Sequence, residues 1–261
     1  MQVVALHADV LVARSAMWQT TCTIVHAGDP GECFVIDSPV FPDELDALRA
    51  VLAQAGWSLS GLLCTHADWD HLLGRLAFPD AALGCSETSA ARLRAEPGAA
   101  QRSLREFDEE HYVERAAGGR VLSLGQVQAL PVPGKLEIGE RELELIPTGG
   151  HTADGMAIWV EWARVLVCGD HLSPVEIPML SPGGSREEYL ATLGRLKPYA
   201  EQADWVVPGH GPPLDSARAL AIMREDVAYL QALPSPDAPL PLARRTREQQ
   251  RVHGENLARV E

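Results

Sequence analysis

The chain has 261 residues, of which 46% are hydrophobic and 22% are charged, and its formal net charge is -14 at pH 7. A chain of this length and composition forms a globular protein with one core or two fused halves. The acidic charge disfavours nucleic acid and anionic membrane surfaces as partners, because both would be repelled. No apolar run approaches the roughly 20 residues of a membrane span, and residues 1–7 do not resemble a signal peptide, so we expect a cytoplasmic protein.

The N-terminal part of the chain has the pattern of a β-meander that continues as strand, helix and strand. Short β-rich runs occur at residues 3–6, 10–13, 21–26 and 33–36. A Gly-Asp-Pro-Gly turn signal at 28–31 separates the last two of them. Pro42 opens an amphipathic helix, which Gly56 ends. A buried strand is predicted at 59–64 and a shorter one at 83–85.

Residues 87–119 differ in composition from their surroundings. They are rich in Arg, Glu and Ala and carry few large apolar side chains. This segment predicts one or two exposed helices and is the best candidate for a helical cap over a pocket.

The second half repeats the β-then-α order. Strands are predicted at 127–132, 143–146, 156–160, 165–168 and 204–207. Ser185 and Glu188 form a capping box for a helix through about Leu196, and a further helix is predicted at 218–230. A Pro-rich connector at 234–241 leads to a polar, Arg-rich final helix at 242–260. With no sharp boundary, we predict a single α/β domain over 1–261, a four-layer αβ/βα sandwich of two similar halves.

A dense group of potential metal ligands follows the strand at 59–64, in the run Thr65-His66-Ala67-Asp68-Trp69-Asp70-His71. Histidine nitrogens and aspartate oxygens are natural ligands of divalent first-row ions. A solvated polar loop would explain a single such pair. Three further candidates also follow predicted strands, however, namely His151, Asp170 and His210. We therefore predict a metal site.

These motifs together resemble the metallo-β-lactamase-fold superfamily, and in particular its glyoxalase-II-like metallohydrolases. The resemblance covers about residues 21–211 and rests on the run 66–71, Gly-Gly-His-Thr, Cys-Gly-Asp and Pro-Gly-His-Gly in that order. It implies two divalent metal ions. The first would be held by His66 and His151, the second by Asp70, His71 and His210, with Asp170 between them.

Asp68 departs from the family pattern, which has a second histidine at this position. We expect Asp68 to be a ligand of the first ion; the alternative is that it points away and that this ion is weakly held. A carboxylate makes the first site richer in oxygen, so iron or manganese would be tolerated better, although zinc remains the expected metal.

The resemblance implies a hydrolase that uses a metal-bound hydroxide on a small ester-, thioester- or lactone-like metabolite. Asp70 is the candidate to orient the nucleophile and accept its proton. One alternative is a diiron redox protein, either flavodiiron-like, a group with a carboxylate at the position of Asp68, or sulfur-dioxygenase-like. Another is a metal-poor binding protein without turnover. A homodimer is expected only from the family.

Other polar residues leave their roles open. His171 fits either support of the site or a surface position, and Tyr189 fits either an oxyanion donor or helix packing. The arginines within 94–105 and 244–251 are expected on solvated helix faces. The five cysteines, an odd set without a paired motif, are expected to be buried thiols: Cys22, Cys33, Cys64, Cys85 and Cys168.

Overall fold

The structure is a computed structural model that describes residues 1–28, 31–115, 121–233, 235 and 238–260. Parts of three predicted segments lie outside the described residues. These are the centre of the turn at 28–31, the end of the segment 87–119, and residues 234, 236, 237 and 261 of the C-terminal region.

The first sheet contains seven strands, whose spatial order is the same as their order in the chain. The first four form an antiparallel meander, and the pairs from the fourth to the seventh strand are parallel. The strands are β1 Gln2–His7, β2 Val10–Arg14, β3 Thr21–His26, β4 Glu32–Asp37, β5 Ser58–Leu63, β6 Leu83–Ser86 and β7 Val127–Leu130.

The predicted strand at 127–132 belongs to a different sheet from the one we expected. Sequence order placed it in the second half, but β7 pairs in parallel with β6 at the edge of the first sheet. The segment between these two strands carries helices, so it forms a helical crossover, which is the usual connection between neighbouring parallel strands.

Four helices cover the outer face of the first sheet: α1 Pro42–Ala55, α2 Gly74–Ala77, α3 Glu87–Ala95 and α4 Ala99–Glu110. Helix α1 has its predicted bounds, with Pro42 in its first turn and Gly56 in the left-handed region at φ 72°. Helices α3 and α4 are less exposed than their composition suggested, because Ala90 of α3 and Leu104 and Phe107 of α4 are buried against the core.

The second sheet has the strand order β12-β11-β10-β9-β8. Its strands are β8 Gly134–Ile138, β9 Arg141–Pro147, β10 Met156–Val160, β11 Val165–Val167 and β12 Trp205–Val207. Strand β8 was not predicted. It is an edge strand in which the charged Lys135 and Glu137 alternate with less exposed residues, and it is completed by its antiparallel pairing with β9.

Helices α5 Arg186–Gln202, α6 Ser216–Ala232 and α7 Arg247–Val260 cover the second sheet. Ser185 caps α5 as predicted, since its hydroxyl accepts a hydrogen bond from Glu188 N. The helix continues through Pro198 to Gln202, past the predicted end, and the residues of this last turn include the buried Ala200. Helix α7 begins later than predicted, at Arg247.

Three apolar clusters lie between the layers and establish the four-layer αβ/βα architecture. One lies between the first sheet and its helices, one between the second sheet and α5, α6 and α7, and one between the two sheets. The inter-sheet cluster is built mainly from β-branched residues and leucines such as Val12, Ile36, Leu145 and Ile158. The fold class predicted from the sequence is therefore confirmed.

The five cysteines are buried and free, as expected. Among the described residues no helix has the length and apolar character needed to cross a membrane.

Candidate metal centre

The predicted ligands lie in loops that follow strands of both sheets. The run 66–71 follows β5, and a 3-10 turn at Trp69–His71 places Asp70 and His71 on its inner side, where both are buried. The remaining three residues follow strands of the second sheet, β9, β11 and β12 respectively: His151, Asp170 and His210. The two sheets thus bring together residues that are far apart in the chain.

Two groups of potential ligand atoms face each other in this region. One contains His66, His151 and Asp170, and the other contains Asp70, His71 and His210; within each group the atoms lie within 4.8 Å of one another. The division is the same as the one implied by the family resemblance. We refer to these groups as the first and the second cluster.

The Asp170 carboxylate lies between the clusters and presents one oxygen to each. Its Oδ2 is 3.6 Å from His66 Nε2 and 3.3 Å from His151 Nε2. Its Oδ1 is 3.3 Å from His71 Nε2 and 3.4 Å from His210 Nε2. Such a carboxylate can bridge two cations.

Asp70 and Asp68 add one carboxylate to each cluster. Asp70 Oδ2 lies 3.6 Å from Nε2 of both His71 and His210. Asp68 Oδ2 lies 3.3 Å from His151 Nε2 and 3.6 Å from His66 Nε2. Asp68 therefore faces the first cluster and does not point away from it.

Each of the four imidazoles directs Nε2 inward and has an oxygen close to Nδ1 on its outer side, which fixes the ring orientation. The partners are Thr65 Oγ1 at 3.1 Å for His66, Asp37 Oδ2 at 3.1 Å for His71, Met179 O at 2.9 Å for His151 and Trp18 O at 3.2 Å for His210.

The inner atoms of the site fit a cation. His66 Nε2, His71 Nε2 and Asp170 Oδ1 are buried and have no hydrogen-bond partner within the described part of the chain. Buried polar atoms without partners cost free energy, and a bound cation is a partner for all three. The nitrogen and carboxylate donors are those that zinc, iron and manganese accept.

The charges of the site stabilise one another when no metal is bound. Burial alone would raise the pKa of the Asp170 carboxyl, but the imidazoles of His210 and His71 hold it well below its ordinary value. Burial would lower the pKa of His210, yet the nearby Glu176 and Asp170 raise it to about 10. Any metal ion that binds here must therefore compete with protons for these groups.

Gly209 permits the closest backbone approach in the site. A Cβ atom at this position would lie 2.1 Å from Asp170 Oδ1, far inside van der Waals contact. The absence of a side chain at Gly209 lets the segment between β12 and His210 pass beside the bridging position of Asp170.

Four charged residues beside the predicted ligands were not singled out from the sequence: Asp37, Arg92, Asp154 and Glu176. Asp37 is the last residue of β4, and Asp154 lies three residues after His151, so both are close to positions that the strand-end pattern had selected. Arg92 lies on α3, and Glu176 lies in the loop between β11 and α5; neither position has a local pattern that distinguishes it.

Two residues whose roles were open are now located. His171 is buried, with its nitrogens 3.2 Å from Cys168 O and 3.3 Å from Gly149 O, so it supports loops beside the site. Tyr189 is also buried and borders the cavity. Its hydroxyl donates a hydrogen bond to the backbone oxygen of Asp170 at 2.9 Å, so it supports the loop that carries Asp170.

The prediction that the arginines within 244–251 lie on a solvated helix face is wrong for Arg244. Its side chain is 1% exposed and donates hydrogen bonds to the Asp226 carboxylate at 2.5 Å and to Glu176 O at 2.8 Å. It is buried because α7 begins only at Arg247, so that Arg244 precedes the helix and turns toward the core.

An open cavity of about 220 Å³ leads to the two clusters. Its walls include His151, Asp170 and His210 from the site. The other lining residues come from the loop 173–181, from helices α5, α6 and α7, and from Trp18, which is 40% exposed. Helices α3 and α4 of the predicted cap border a second cavity, of about 250 Å³, which is also lined by Asp68 and Arg92.

One curated protein is similar in sequence to this chain. The chain is 23% identical over 177 residues to a beta-lactamase-like protein 2 homolog from Caenorhabditis elegans, a match that covers 68% of this chain and 50% of that protein. The chain thus spans about half the length of this curated relative.

Solved structures share the fold at low sequence identity. A metallo-beta-lactamase family protein from Thermus thermophilus has a TM-score of 0.65 and 22% identity, with 88% of this chain and 83% of that chain covered. The inverting sec-alkylsulfatase Pisa1 from Pseudomonas sp. has a TM-score of 0.66 and 15% identity, with 88% and 42% covered. The sequence model of the metallo-beta-lactamase superfamily matches residues 16–210, most of the chain and all the residues of both clusters. The chain belongs to the metallo-beta-lactamase superfamily.

Proposed function

We propose that the protein is a dinuclear metal-dependent hydrolase that acts on a small ester-, thioester- or lactone-like molecule. The observation that carries this proposal is the position of Asp170, whose two oxygens each face two histidine Nε2 atoms of a different cluster at 3.3–3.6 Å. One carboxylate shared in this way suits a pair of divalent ions.

The residues that would hold the ions are His66, Asp68 and His151 on one side and Asp70, His71 and His210 on the other, with Asp170 shared. Two ions held there would lower the pKa of a bound water and polarise a carbonyl oxygen of the substrate. Zinc is the expected metal.

Asp70 is the residue best placed to manage the proton of the attacking water. Its Oδ2 lies at the second cluster, and Asp70 also lines the cavity through which a substrate would enter. Its backbone carbonyl accepts a hydrogen bond from Ser38 Oγ at 3.2 Å, which helps to fix the carboxylate. We propose that an Asp70 carboxylate oxygen orients the water and accepts its proton.

The cavity supports a small substrate. Its volume of about 220 Å³ lies below the typical range for drug-sized ligands, roughly 300–1,000 Å³. Ile177, Met179 and Val252 contribute apolar side chains to its lining. We propose that an acyl portion contacts these side chains, and that the protein works in the cytoplasm without a nucleic-acid or membrane partner, with a homodimer as its expected assembly.

The test begins with elemental analysis of protein purified without added metal or chelator. About two zinc or manganese ions per chain support the proposal, and hydrolysis is then measured on a panel of esters, thioesters and lactones. His210→Ala should remove one ion and abolish turnover, whereas His7→Ala, which changes a histidine outside both clusters, should change neither. Protein that retains no ion after incubation with zinc would contradict the proposal.

A diiron redox function is the second candidate, and Asp68 is the observation that favours it. Its Oδ2 adds an oxygen ligand to the first cluster, and iron accepts oxygen ligands readily. If elemental analysis finds about two irons, oxygen consumption with thiols and with external reductants should be measured before hydrolysis.

A further inference from the structure

Arg92 forms the outer boundary of the first cluster. It lies on α3, and one guanidinium nitrogen, Nη2, is 2.7 Å from Asp68 Oδ1. The other oxygen of the same carboxylate, Oδ2, faces His66 and His151. The two oxygens of Asp68 are therefore divided between the arginine and the cluster.

Asp154 holds Arg92 in this position. Its Oδ1 accepts a hydrogen bond from Arg92 Nη1 at 2.9 Å, and its Oδ2 accepts from Ser89 Oγ at 2.7 Å and from Ala67 N at 2.9 Å. Asp154 thus connects helix α3 with the backbone next to Asp68. The guanidinium bridges two carboxylates and has little freedom to turn away.

The charge of Arg92 suits its location. The guanidinium stays charged, because arginine is not deprotonated in proteins, and it contacts Asp68 at 2.7 Å and Asp154 at 2.9 Å. The cation therefore persists beside a site that would hold two further cations. Its presence is unfavourable for metal binding unless Asp68 compensates for it.

We propose that Asp68 and Arg92 act as one unit that replaces the second histidine of the family pattern. Arg92 restricts Asp68 to one oxygen toward the first cluster and offsets part of the negative charge that Asp68 adds, since the guanidinium is shared with Asp154. A histidine at this position brings one donor atom, and Asp68, with its other oxygen bound to Arg92, likewise offers one. Arg92 is in this sense a positioning residue, and the inference rests on the proposed dinuclear site.

The effect of replacing Asp68 depends on whether Arg92 is present. Replacing Asp68 with histidine would remove the carboxylate between Arg92 and the first ion. Asp154 would still pair with the far side of the guanidinium, but the two cations would then face each other directly and repel. We therefore expect Asp68→His to be tolerated only when Arg92 is replaced as well.

The test is a double-mutant cycle with zinc as the probe. Native protein, D68H, R92M and D68H/R92M are loaded with zinc and dialysed, retained ions are counted, and the weaker dissociation constant is measured by calorimetry. We expect D68H to weaken the binding of the first ion at least about tenfold, because the guanidinium loses the carboxylate that separates it from the ion. In D68H/R92M the affinity should return to within about threefold of the native protein.

The near-isosteric pair D68N and D68N/R92Q repeats the cycle if the histidine variants do not fold. Arg94→Met changes an exposed arginine of the same helix and should leave both ions unchanged. An equal loss of affinity on Asp68 replacement with and without Arg92 would overturn the inference while leaving the dinuclear site intact. Native protein that retains no zinc would instead contradict the proposed function itself.

Discussion

Asp37 Oδ2 lies 3.1 Å from Nδ1 of His71, on the side of the imidazole that faces away from the second cluster. The two atoms are in close contact without the alignment of a hydrogen bond. Asp37 also accepts hydrogen bonds from Thr65 N at 2.7 Å and Thr65 Oγ1 at 2.8 Å. It is itself in the left-handed region, with φ 58°. One carboxylate at the end of β4 therefore fixes both ends of the run 65–71.

Asp37→Asn should weaken the second ion by about 10–100-fold, because carboxylates behind a ligating histidine orient the ring and raise its basicity. Asparagine also tolerates the left-handed conformation, so the backbone should be retained. Zinc affinity is measured by calorimetry, with the exposed Asp80→Asn as the control. Unchanged zinc affinity would show that Asp37 serves the fold alone.

Gly209→Ala should disturb the bridging carboxylate. The new Cβ would lie 2.1 Å from Asp170 Oδ1 and 3.1 Å from His71 Cε1, so that one of these groups must move. We expect a loss of about 1–3 kcal/mol in the free energy of unfolding and fewer retained metal ions. Urea unfolding measures the free energy, and elemental analysis counts the retained ions.

Gly194→Ala is the matched control. This glycine lies on the exposed side of α5, and its Cβ would meet no described atom within 4 Å beyond its own helix and immediate neighbours. The change should stabilise the protein by about 0.5–1 kcal/mol without altering metal content, since alanine loses less conformational entropy in a helix. Equal behaviour of the two variants would contradict the close approach at Gly209.

Asn256→Ala should loosen the cavity wall. From helix α7, Asn256 Oδ1 accepts from Leu180 N at 2.8 Å and Nδ2 donates to Pro178 O at 2.7 Å, and the residue is fully buried. Loss of these bonds leaves buried backbone groups unpaired, at a cost of about 1–3 kcal/mol. Hydrogen exchange at the Leu180 amide should become faster, because this amide loses its hydrogen-bond acceptor.

The control for the cavity wall is Gln250→Ala, which changes an exposed amide on the same helix. It should leave exchange at Leu180 unchanged. If Asn256→Ala also leaves this exchange unchanged, the loop is held by contacts other than α7.

Glu44→Gln should destabilise the protein in a pH-dependent way. Glu44 is 2% exposed and accepts hydrogen bonds from Ser15 Oγ at 2.5 Å and Ala16 N at 2.8 Å. Burial would raise the pKa of its carboxyl, but these hydrogen bonds hold it below the ordinary value of 4.5. Since the folded-state pKa is the lower one, the stabilisation is complete well above pH 4.5 and is lost as the pH falls through the folded-state pKa.

The difference in unfolding free energy between native protein and Glu44→Gln should therefore be about 1–3 kcal/mol at neutral pH and should shrink in acid. Urea unfolding at several pH values measures it. Asp43→Asn, an exposed change in the same helical turn, should show little difference at any pH. A difference for Glu44→Gln that is constant with pH would argue against an ionised, hydrogen-bonded carboxylate.

Local patterns in the sequence determined most of the secondary structure and the composition of the site. Pro42 and Gly56 bound α1 because a helix start and a helix end depend on only a few neighbouring residues. His66, Asp70 and His71 could be selected because ligands placed after a strand leave a dense local signal. The structure brings them together with His151, Asp170 and His210 in two clusters, and their role as metal ligands stays a prediction.

Only the tertiary structure decided the features that depend on which distant segments become neighbours. The parallel pairing of β5 with β6 places α3, which follows β6, beside the run 65–71, and this brings Arg92 to Asp68. The assignment of β7 to the first sheet and the burial of Arg244 against Asp226 have the same origin. Local periodicity records which face of an element is apolar, but the partner of a buried charge is set by strand order and helix packing across the whole chain.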